Sequence, residues 1–88
     1  MAETTVKQIP EDQHSLMVAI AHHWINHQDW ALCTTREQIK TGRLLRRRGF
    51  VIEAEMMDKR IGFRPRNDGL NYLLATEPEE FYIDEVQP

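Results

Sequence analysis

The sequence predicts a single α+β domain of two or three helices, a two-stranded β-hairpin and a short C-terminal helix. Three observations carry that expectation. Apolar residues recur at helical spacing between Asp12 and Gln28. The period switches to two at Phe50 and holds until Pro65, and an Asn67-Asp68-Gly69 signal then opens another helical stretch. With 88 residues, the chain has room for one core only, because a second domain would be too small to bury its own. Residues 1–88 are therefore read as one unit, with 1–10 as an arm or edge strand and 77–88 as an acidic tail.

Taken in order, Val6 and Ile9 are the only sizeable apolar side chains before Pro10. Pro10 and Glu11-Asp12 then supply a fixed backbone angle and negative charge for a first helical turn. On a wheel, Leu16, Met17, Ile20, Ala21, Trp24 and Ile25 form one stripe, with Gln13, His22 and Asn26 opposite. A helix from about Asp12 to about Gln28 follows. Asp29 to Thr34 reads as a connection. Thr35, with Gln38 three residues later, has the capping-box arrangement, and Gly49 is the usual residue for a left-handed stop. Gly42 sits in the middle of that second helical region, which is either one helix or two short ones broken near Thr41-Gly42.

Beyond it, Phe50, Ile52, Ala54 and Met56 face one way and Val51, Glu53, Glu55 and Met57 the other, as in a half-buried strand. Asp58-Lys59 is the expected turn, and Ile61 and Phe63 restore the alternation. Asn67 or Asp68 is the expected cap of a short helix carrying Leu70, Leu73 and Leu74, with Tyr72 at its flank. Phe81 and Ile83 alternate as in a last short strand.

Charge is segregated along this chain. Ten of its eleven Lys and Arg residues lie between Arg36 and Arg66, a segment of formal charge +6, while the remainder sums to -9. Such a field attracts a polyanion, steers an acidic partner, or simply solvates two faces of a globule. Cys33 is the only cysteine, so no intramolecular disulfide forms. No apolar run approaches the ~18 residues of a membrane span, and Met1 to Thr5 shows no cleavable leader pattern. The expectation is a soluble, cytoplasmic protein with no membrane association.

The segments Leu44-Leu45-Arg46-Arg47-Arg48-Gly49-Phe50-Val51 and Ile61-Gly62-Phe63-Arg64-Pro65-Arg66-Asn67-Asp68-Gly69-Leu70-Asn71-Tyr72-Leu73-Leu74 together resemble part of a winged-helix DNA-binding domain of the MarR-like kind. The Leu44–Val51 segment is similar to a recognition helix running into a wing strand. The Ile61–Leu74 segment is similar to the returning strand and the following helix. The resemblance covers about a third of the chain and implies a basic helix between Thr35 and Arg48 in the major groove of double-stranded DNA, with the hairpin tip on the adjacent backbone. It assigns Arg36, Lys40 and Arg43 to the groove and Arg46, Arg47, Lys59 and Arg60 to phosphates. A full winged helix has two helices between the first helix and the wing, whereas only about twenty residues separate Trp30 from Phe50 here, so the helix-turn-helix is either very compact or incomplete.

His23 and His27 are spaced i, i+4 with His22 and Cys33 nearby, but no second ligand pair stands at a recognised spacing, so no metal is expected. Cys33 is read as a structural thiol. Gly42 to Gly49 lacks the Lys-Ser/Thr ending of a phosphate-binding loop, and neither a catalytic triad nor a carboxylate pair stands out. The expected function is that of a small, sequence-specific DNA-binding transcriptional regulator, non-enzymatic and without a cofactor. Trp24, Trp30 and the long first helix also suit a homodimer through that helix. The alternative is an interaction protein, of the size and style common in phage and mobile elements, that modulates another protein through its basic face or its acidic tail.

Overall fold

Pro10 sets the backbone ahead of a first turn that carries Glu11 and Asp12, and α1 (Glu11–His27) starts there. The structure, a computed structural model, describes residues 9–81. Helix α1 stops at Gln28, whose left-handed φ of 54° lets its N–H donate to the Trp24 carbonyl at 2.7 Å. Met17, Ile20 and Ala21 of the expected stripe are buried. Two positions differ from the wheel. Gln13, assigned to the polar side, is buried and accepts a 2.7 Å hydrogen bond from Arg48 Nε, while Ile25, assigned to the stripe, is 43 % exposed.

The stretch read as a connection contains β1 (Ala31–Cys33), which pairs antiparallel with β3 (Ile61–Pro65) in the register Ala31↔Phe63 and Cys33↔Ile61. β2 (Val51–Glu55) pairs with the other edge of β3, so the sheet has three strands in the order β1-β3-β2 rather than two. Three residues are too few to display a period, and β1 exists because β3 offers it a ladder.

Between β1 and β2 lies one continuous helix, α2 (Arg36–Arg47). Thr35 caps it, its Oγ1 accepting from the Gln38 N–H at 3.1 Å, and Gln38 Oε1 in return accepts from the Thr34 N–H at 3.1 Å. Gly42 does not break the helix. It lets α2 lie directly on Phe63, since a Cβ at Gly42 would stand 2.5 Å from that ring. Gly49, with φ of 81°, turns the chain into β2.

Strand parity places Val51, Phe63, Pro65 and Cys33 on the core side and Leu32, Ile52, Ala54, Gly62 and Arg64 on the outer side. The largest fully buried side chains are Phe63, Met17, Ile20, Leu45, Leu73 and Val51. Helix α3 (Asn67–Thr76) begins at Asn67 itself, so neither Asn67 nor Asp68 is its cap. Arg66 takes that position, its N–H held by the Phe50 carbonyl at 2.8 Å, and Gly69 passes so close to the same carbonyl that a Cβ would lie 2.4 Å away. Tyr72 is buried and not at the flank, stacking on Phe50 with ring centroids 5.1 Å apart, and Leu74 is 41 % exposed.

Phe81 closes a short helix, α4 (Pro78–Phe81), and is buried in the core instead of starting a strand. Ile83, the rest of the tail and residues 1–8 of the arm lie outside the described residues; Ile9 is buried. Among the described residues no helix is long and apolar enough to cross a membrane.

Candidate nucleic-acid interface

Thr35 and Gly49 set the two ends of α2, and Gly42 seats its middle on Phe63, which turns the opposite face outward. On that face Arg36, Lys40, Arg43 and Arg47 follow the spacing i, i+4, i+7, i+11, all exposed. At 1.5 Å per residue the stripe spans about 16 Å. Arg46 stands beside it. These five cations border a groove of about 550 Å³ whose apolar floor is Ile39, Leu44 and Ile61.

Glu53 organises the stripe from β2. Its carboxylate is only 13 % exposed and takes Arg43 through Nε at 3.2 Å and Nη2 at 2.9 Å, and Arg46 through Nη1 at 3.0 Å. The fork geometry fixes the Arg43 guanidinium, and hydrogen bonding to Glu53, followed by its charge, holds the Arg43 pKa above the ordinary value. One carboxylate shared by two arginines leaves a net positive charge, so the pair is oriented without being neutralised. Arg36, Lys40 and Arg47 have no carboxylate partner among the described residues.

The hairpin tip is built differently. Lys59 occupies a left-handed position, φ 74°, in a turn closed by Lys59 N–H to Met56 O at 2.9 Å and Met56 N–H to Arg60 O at 2.7 Å. Arg60 is paired within the turn to Asp58 at 2.7 Å, and that hydrogen bond is the main reason the Asp58 pKa lies below the usual carboxylate value. Strand parity turns Arg60, like Gly62 and Arg64, away from α2. It borders a second hollow of about 340 Å³ on the outer sheet face with Asp29, Trp30, Leu32, Met56, Met57 and Asp58. The expected set is therefore divided: Arg36, Lys40, Arg43, Arg46 and Arg47 come together, Lys59 stands at the tip, and Arg60 belongs to the other side of the sheet.

The sequence reading missed the roles of Glu53 and Ile61. Acids at two alternate strand positions, Glu53 and Glu55, within a basic segment were the available signal, and they did not single out Glu53. Two tail carboxylates are held on α1: Glu77 Oε2 meets His14 Nε2 at 2.8 Å, and Glu80 Oε2 meets His22 Nε2 at 2.9 Å. The rings of His23 and His27 lie 4.7 Å apart, and no group of three metal-ligating side chains exists among the described residues. Cys33 is buried on the core side, which pushes its thiol pKa up. No protein-family model matches the chain, and comparisons with curated proteins and with solved structures found no match.

Proposed function

We propose that this chain is a non-enzymatic DNA-binding protein that lays the exposed face of α2 against the duplex. The observation that carries this reading is the single stripe of Arg36, Lys40, Arg43 and Arg47 on a helix left open to solvent. A helix with its side chains is about 10–12 Å across, and the major groove of B-DNA is about 12 Å wide. Arg36, Lys40 and Arg43 face the groove, Arg46 and Arg47 flank it at phosphate positions, and Lys59 reaches the neighbouring backbone from the hairpin tip. The order helix, strand, helix, hairpin is compatible with a winged-helix-like plan in which one helix stands where two are usual. Sequence-specific control of transcription in the cytoplasm is the role such a domain would serve.

The apolar floor of the groove supports a second reading, in which an acidic amphipathic segment of another protein lies along α2 beside Ile61 of β3. Backbone NMR on titration with a short mixed-sequence duplex separates the two. DNA binding predicts shift changes along Arg36 to Arg47 and at Lys59, with Leu32 and Gly62 unmoved. No change at any duplex concentration would discard the DNA reading in favour of the protein segment.

A further inference from the structure

On the outer sheet face, Arg64 is held between two indoles with nothing to accept its hydrogen bonds. Its guanidinium carbon lies 4.9 Å from the Trp24 ring centroid and 5.7 Å from that of Trp30. Those rings supply cation–π attraction but no acceptor in the plane of the guanidinium. Arg64 Nε is buried without a hydrogen-bond partner, and the side chain forms no ion pair among the described residues. A buried donor left in that state costs free energy, so the group gains more than a solvated arginine does from an incoming acceptor.

Arg66 brings a second guanidinium to the same place. Its backbone is extended, φ -103° and ψ 169°, so the side chains of Arg64 and Arg66 leave one face of the chain about 7 Å apart. Pro65 between them fixes its own φ and stiffens the pair. Ile52, Arg64, Pro65, Arg66, Asn67 and Asp68 line a hollow of about 390 Å³. Asp68 is the acid on its wall and pairs with neither arginine, whereas Asp58 cancels Arg60 in the turn. Two guanidiniums with no carboxylate of their own therefore face a single acid. A carboxylate ligand is used up by one guanidinium fork, while a phosphate has oxygens enough for both. We infer that this hollow takes the phosphate group of a small phosphorylated ligand, with Arg64 and Arg66 donating to its oxygens. The sheet separates it from the α2 stripe, so the site does not depend on the DNA reading.

Heteronuclear NMR on the full chain, titrated with inorganic phosphate at constant ionic strength, tests the proposal. The Arg64 Nε–H and the Asn67 and Asp68 amides should shift and saturate with a dissociation constant of about 0.1–10 mM. Arg36 and Arg47 should respond only at concentrations at least about tenfold higher. Arg64→Met keeps an apolar stem against the indoles and should weaken binding at least about tenfold, with no loss of thermal stability, because the orphaned donor goes with the charge. Asp68→Asn should tighten binding about threefold by removing a like charge from the wall. Shifts that sodium chloride reproduces at equal ionic strength, Arg64→Met binding phosphate as well as wild type, or α2 and Arg64 responding together would overturn the site. A short duplex titrated alongside should leave Arg64 unmoved; movement there would overturn the small-ligand assignment and make the nucleic-acid backbone the source of the phosphate.

Discussion

Arg43 and Arg46 on α2 and Arg60 at the hairpin tip are all paired to a carboxylate, yet the two pairings do opposite things. On α2 a single, largely buried Glu53 serves two half-exposed arginines, so the pairing positions charge and leaves a surplus. At the tip, Asp58 and Arg60 match one for one, both about half exposed, and cancel. An ion pair is thus no guide to function by itself. Stoichiometry and burial decide whether it aims a cation or silences it, and only the first kind leaves a surface that attracts a polyanion.

The comparison breaks most completely if α2 loses its seat. Phe63→Ala removes the ring on which Gly42 rests and should cost about 3–5 kcal/mol in chemical denaturation, abolishing the stripe with the fold. Gly42→Ala should destabilise by about 1–3 kcal/mol through overpacking, although alanine is the better helix former by about 1 kcal/mol; a stabilised variant would show that α2 does not rest on Phe63 through Gly42. Glu53→Gln addresses the pairing directly. It should lower the melting temperature by several degrees while tightening low-salt duplex binding roughly threefold to tenfold, because the two arginines lose their tether and the face loses its acid.

The smallest effect lies at the tip. The Asp58 carboxyl is held below its ordinary value, so its contribution is present above about pH 4 and is lost as pH falls through the lowered value. The Arg60 Nε resonance should shift with acidification in that window, Asp58→Asn should remove the transition, and neither change should alter the fold.

Local chemistry made much of this molecule legible. The Thr35–Gln38 cap, the Gly49 stop, the α1 stripe and the hairpin turn each follow from residues close together in the chain. What stayed hidden depends on distant partners. β1 is a strand because Cys33 meets Ile61, and Gly42 is tolerated because Phe63 fills the space its side chain would take. Arg60 faces away from α2 because of sheet register, which one residue of slip would reverse. Glu77 and Glu80 sit on His14 and His22 of α1, contacts between residues far apart in the chain that the charge pattern does not specify. Whether the basic segment forms one face was not legible, because the region around Gly42 read equally as one helix or two and the seat on Phe63 that keeps it continuous is distant in sequence; the division of the basic set was hidden because a turn does not map spacing onto a face.

The most direct measurement is the salt dependence of duplex binding by fluorescence anisotropy, comparing the wild-type chain with an Arg36→Ala, Lys40→Ala, Arg47→Ala triple variant. The lost Arg47 phosphate contact should reduce the slope of log affinity against log salt by about 0.9, and the loss of the groove-facing Arg36 and Lys40 should lower affinity at every salt concentration, with thermal stability nearly unchanged. Equal slopes for the two proteins, or wild-type binding that ignores salt, would contradict the claim that the open face of α2 is a nucleic-acid surface.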